Sequence, residues 1–180
     1  HRCEGDRTCI LAWSGVTAGH GVITTLNASH YRIGVKGNSF RVNCTNGGDG
    51  CGGVYLNLSS GVRTNVVVTD IYVENQHASA FNMAESQPTT YYDGVTWSYL
   101  ENAAPLVPYY EVGGTPHPMY VKGRNVTVEY GKFIGFDVNP GFVVHAYHIA
   151  TGLIVRYNEL IAPQNCRGIT AEDTETAQIT

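Results

Sequence analysis

Asn125–Phe136 (NVTVEYGKFIGF) and Gly152–Pro163 (GLIVRYNELIAP) are two copies of one pattern. Each sets an apolar residue, a gap, a second apolar residue, then four residues and a third apolar one: Val126/Val128/Phe133 and Leu153/Val155/Leu160. The phrase occurs earlier as Val66/Val68/Val73 within NVVVTDIYVENQ and as Ile33/Val35/Phe40. GVTWSYLENA, from Gly94, is an imperfect fifth copy. Copies start roughly 27 to 33 residues apart. A period in that range marks a solenoid, in which each repeat buries its apolar face only against its neighbours.

Between the copies runs a second set of short apolar stretches: Val22–Leu26, Val54–Leu58, Ala80–Ala84, Met119–Val121, Val143–Tyr147 and Ile169–Ala171. Across the chain Val, Ile, Thr, Tyr and Phe fill short runs bounded by Gly, Asn and Asp, and no long stretch keeps a helical period. Two or three short strands per repeat, joined by corners such as Gly37-Asn38, Tyr130-Gly131 and Tyr157-Asn158, predict an all-β chain. The expected fold is a right-handed parallel β-helix of about six coils. Gly and Asn suit the left-handed backbone of such corners. A β-sandwich is the alternative, since it too has many short strands, but it does not call for a recurring phrase. The chain reads as one domain, 1–180, with 1–20 as a short N-terminal cap and 86–118, rich in Pro and aromatic residues, as an insertion flanking the imperfect copy.

Charged residues make up 14% of the chain, the formal net charge is −4, and no basic run is present, which argues against nucleic acid and membrane as partners. Apolar stretches are broken well before the ~20 residues of a membrane span. Four sequons, at Asn27, Asn43, Asn57 and Asn125, stand beside five cysteines, and the chain opens His1-Arg2-Cys3. These features predict a secreted, N-glycosylated protein cut from a precursor. Local pairing of Cys3 with Cys9 and of Cys44 with Cys51 closes two short loops, with Cys166 left over.

AGHGVITTLNASHYRI resembles the entry strand of pectin-lyase-like proteins, and NVTVEYGKFIGF resembles their coil repeats. The resemblance implies the right-handed β-helix and binding or cleavage of acidic polysaccharide. Of the polygalacturonase motifs only Gly19-His20-Gly21 is matched, and no Asp pair precedes it. Hydrolysis needs two carboxylates across the scissile bond, so a site requires stacking to bring Asp70 near Asp93 or Asp137. Arg124 and Arg156 occupy comparable repeat positions without an acidic cluster beside them. His1 resembles the copper-binding start of lytic polysaccharide monooxygenases, but nothing else in the sequence does. No metal and no cofactor are expected. Trp97, Tyr99, Tyr109 and Tyr110 are the carbohydrate-binding candidates, since Tyr and Trp present flat faces to sugar rings.

The terminal coils of a solenoid expose strand edges that must be covered. The stretch GITAEDTETAQIT keeps strand-like alternation with no amphipathic helix after it. The expected function is therefore an extracellular structural protein that associates with itself through its solenoid ends, an open contact that builds a filament. Polysaccharide hydrolysis or lysis, and carbohydrate binding, are the alternatives.

Overall fold

The computed structural model describes residues 10–12, 21–26, 32–34, 40–43, 52–74, 76, 79–83, 88–104, 117–137, 141–147, 151–172 and 177–180. Their strands are β1 (Ile10–Ala12), β2 (Gly21–Leu26), β3 (Arg32–Ile33), β4 (Phe40–Asn43), β5 (Gly52–Asn57), β6 (Val62–Glu74), β7 (Phe81–Met83) and β8 (Tyr91–Asn102). They continue as β9 (Met119–Val121), β10 (Arg124–Glu129), β11 (Lys132–Ile134), β12 (Gly141–Tyr147), β13 (Leu153–Arg156), β14 (Glu159–Ile161), β15 (Cys166–Glu172) and β16 (Ala177–Ile179). Every pairing between them is parallel, and each joins strands of successive coils.

The result is a β-solenoid with three walls. One sheet runs β2-β5-β7-β9-β12-β15, and these are the six short stretches between the repeated phrases. The other two walls belong to a single sheet because β6 and β8 turn a corner without interruption. Their first halves align with β3, β10 and β13, and their second halves with β4, β11 and β14. Among the described residues five coils carry strands on all three walls, with β1 before them and β15 and β16 after, a slightly different count from the expected six.

The apolar positions of the phrase become the core. Val66, Val95, Val126 and Leu153 form one inward column, and Val68, Trp97, Val128 and Val155 the next, all essentially without solvent exposure. The residues between them point outward, the period-two consequence of an extended backbone. Phe81 meets Trp97 and Phe133 edge-on, with ring centroids 6.2 and 6.0 Å away, and this aromatic group fills the middle of the stack.

The third apolar position holds Val73, Phe133 and Leu160, with Asn102 between Val73 and Phe133. Asn102 is only 2% exposed, yet it is satisfied. Its side chain donates to the carbonyls of Ala103 and Ile134 and accepts from the Ile134 amide, at 2.8–2.9 Å. The imperfect copy is thus imperfect for a reason: its polar residue ties one rung to the backbone of the next.

Two expectations are corrected. Ile33 pairs with Val68 rather than Val66, and Val42, not Phe40, lies opposite Val73. Six residues separate Ile33 from Phe40 where two separate their partners Val68 and Ile71, so the first copy keeps its strands but loses the spacing. Within the stretch read as an insertion, Tyr91–Asn102 is β8, a rung paired on both sides. Residues 105–116 lie outside the described residues, as does the proposed cap apart from β1.

Candidate functional site

At the corner that β6 and β8 turn, Asp70, Tyr99, Tyr130 and Tyr157 stand one above another, with φ of 55, 53, 54 and 55°. Bulky side chains rarely adopt this left-handed conformation. The three rings stack at centroid distances of 5.1 and 5.2 Å with planes 11° and 19° apart. They are the most exposed aromatic residues described, and Tyr157, at the end of the row, is 63% exposed. Beside the row Arg156 donates to Glu129 at 2.8 Å and lies 5.6 Å from the Tyr157 ring centroid. Its hydrogen bond to the Glu129 carboxylate raises the pKa of the Arg156 guanidinium further. Further along, Lys132 pairs with Glu159 at 3.0 Å. At the head of the row the Thr69 hydroxyl donates to the buried Asp70 carboxylate at 2.5 Å.

Sugar stacking needs a free ring face. Here Tyr130 spends both faces on Tyr99 and Tyr157, and each of those two spends one face on Tyr130, so the row offers less free ring surface than three separate tyrosines. Trp97 is corrected outright: it is fully buried in the core and offers no ring to a sugar. Tyr109 and Tyr110 lie outside the described residues. The signal for the row was present in the sequence, because a Tyr recurs four residues after the first apolar position in three copies.

The candidate acids do not meet. Asp70 aligns with the corner tyrosines, whereas Asp93 pairs with Thr64 and Arg124 at the start of its strand. Asn125 donates to Asp93 at 2.7 Å. Exposed Asp137 accepts from the Asn165 side chain at 3.0 Å. Stacking thus keeps the three carboxylates in separate columns, without the paired geometry of a glycosidase. His20 and the four cysteines Cys3, Cys9, Cys44 and Cys51 lie outside the described residues, as does Asn27. Asn43 and Asn57 are half-buried, and Asn125 is exposed at a corner.

The C-terminal end of the stack differs from its middle. Leu160 and Ile169 are only partly buried, whereas Phe133 and Val144, their column neighbours one rung earlier, are wholly enclosed. Ile161 is 38% exposed. Among the described residues β14 pairs only with β11, β15 only with β12 and β16 only with β13, so each presents an open backbone edge. Cys166 is a free, half-buried thiol whose pKa is raised by burial and by Asp137 nearby. Comparison with protein-family models, curated proteins and solved structures finds no match to this chain.

Proposed function

We propose that the chain is a secreted, glycosylated structural subunit that lengthens by stacking end to end with further copies of itself. The observation that carries this reading is the uncovered C-terminal rung. Leu160, Ile161 and Ile169 keep apolar surface exposed there, beside β14, β15 and β16, each of which pairs on one side only among the described residues. Another parallel rung would cover both at once, pairing the strand edges and burying the apolar residues. The exposed face of Tyr157 adds a place for one more ring on the same column. A head-to-tail contact of this kind does not close, and it propagates into a filament. Outward sequons at Asn43, Asn57 and Asn125 are compatible with glycans on the walls, away from the ends.

Light scattering across a concentration series, with electron microscopy, tests the proposal. Rods that lengthen with concentration are expected, and Ile161→Glu should shorten them while leaving the β-rich circular dichroism spectrum unchanged. A monodisperse monomer at the highest attainable concentration would overturn it.

A further inference from the structure

The strands at the N-terminal end of the stack match those at the C-terminal end wall by wall. β1 lies on the wall of β4, β11 and β14, β2 on that of β5, β7, β9, β12 and β15, and β3 on that of β10, β13 and β16. Among the described residues β1, β2 and β3 each pair on one side only, as β14, β15 and β16 do. Along the chain the walls follow one another in a fixed order, and after β16 the wall of β1 comes next. A second copy placed beyond β16 therefore enters the spiral in phase.

The registers carry this match to single residues. Followed rung by rung, the column that starts at Leu11 ends at Leu160. The column from Ile23 ends at Ile169, and the one from Ile33 ends at Ile179. Every residue between those ends is essentially buried. Ile33 is only partly buried, whereas Val68, its column neighbour, is fully enclosed, so the N-terminal rung repeats the uncovered apolar surface of the C-terminal one. Carried across a junction, the same registers set the whole of β1 on the whole of β14, and the whole of β2 on Arg167–Glu172 of β15. β3 falls on Gln178 and Ile179 of β16. Turned by one wall, the 7 residues of β15 would face β1 or β3, which have 3 and 2, and most of its edge would stay bare. Strand length thus selects one orientation over the other two.

The walls offer no comparable opening. The column from Thr24 to Thr170 runs through Tyr55, Asn82, Tyr120 and His145, and His117 packs edge-on against His145 with ring centroids 4.5 Å apart. Those side chains cover one another, whereas the end rungs have no neighbour on one side.

We propose that one copy seats β1, β2 and β3 directly on β14, β15 and β16 of another, with Leu11, Ile23 and Ile33 continuing the columns of Leu160, Ile169 and Ile179. This contact rests on the end-to-end assembly proposed for the chain, and gives it a partner surface and a register. Both sheets then run unbroken from copy to copy.

Magic-angle-spinning NMR of rods grown from an equal mixture of nitrogen-labelled and carbon-labelled chains tests the register, because magnetisation then passes only between copies. Transfer from Leu11 to Leu160, from Ile23 to Ile169 and from Ile33 to Ile179 is expected, since paired backbones lie about 4.8 Å apart. Thr24 and Thr170 also come to face each other. Thr24→Lys with Thr170→Lys should raise the concentration at which rods form about fivefold, and Thr24→Lys with Thr170→Glu should restore it. Rods without these transfers, rods that join β15 to β1 or β3, or rods indifferent to the charge pair would overturn the register and leave self-assembly standing. A parent chain that forms no rods would overturn both.

Discussion

Tyr99 and Tyr130 stack one rung apart, ring centroids 5.1 Å from each other, while both backbones hold a left-handed φ of 53° and 54°. Such a backbone costs a bulky residue about 1–3 kcal/mol. A stacked aromatic pair returns about 0.5–1.5 kcal/mol. Tyr130 stacks on both sides, so strain and gain come closest to balance there. Tyr130→Ala keeps the strain and loses both contacts, and should lower stability by about 1–3 kcal/mol. Tyr130→Gly loses the contacts but sheds the strain, and should be the milder change. Urea unfolding of the two variants checks the order, and an alanine variant as stable as the parent would show that the stack contributes nothing.

The other corner solves the same backbone problem cheaply. Asn65, Gly94, Asn125 and Gly152 alternate along it, all with positive φ. A Cβ on Gly94 would find its nearest neighbour, Asn65 Oδ1, at 3.7 Å, whereas one on Gly152 would lie 2.5 Å from Asn125 Oδ1. Gly94→Ala should therefore cost only the left-handed strain, about 1–2 kcal/mol, and Gly152→Ala distinctly more. Removing the colliding side chain with Asn125→Gly should bring the cost of Gly152→Ala back to that of Gly94→Ala in thermal melts.

Neighbouring aromatics in one strand should behave in opposite ways. Trp97 is fully buried against Phe81, and Trp97→Ala should cost about 3–5 kcal/mol and threaten folding. Tyr99, two residues on, is 43% exposed with one stacking partner, so Tyr99→Ala should cost little more than that contact. Equal losses from the two substitutions in chemical denaturation would contradict this assignment of inside and outside.

The phrase already marked Trp97 as inward, because it occupies the second apolar position. Period-two alternation alone would set Tyr99 on the same face, and the left-handed corner at Tyr99 turns that ring outward. Reading Trp97 as a surface ring ignored its position in the phrase. The architecture was legible for the same reason: Val, Ile and Leu recur at inward positions, and a shifted register would turn them all to solvent. The first copy escaped because more residues separate β3 from β4 than separate the matching halves of β6, and apolar spacing does not reveal the length of a connection. The His117–His145 pair was invisible for a different reason. Those residues come from adjacent coils, and only the register of β9 against β12 makes them neighbours.

That pair also makes stability depend on pH. Burial lowers the pKa of His117 from 6.5 to about 3, and burial likewise lowers that of His145. The folded state thus prefers both rings neutral, while the unfolded chain takes up protons once the pH falls below 6.5. With more protons bound to the unfolded state, stability drops as the solution is acidified. Between those limits His117 contributes a slope of up to about 1.4 kcal/mol per pH unit, and His145 adds to it in the same direction. The charges facing the pair are Lys122, which opposes protonation, and Glu172, 3.6 Å from His145, which favours it. Glu172→Gln should therefore steepen the acid loss, and His117→Phe should flatten it by about one proton. Urea midpoints measured from neutral pH downward give both slopes, and a His117→Phe variant as acid-sensitive as the parent would show that the ring is not buried neutral.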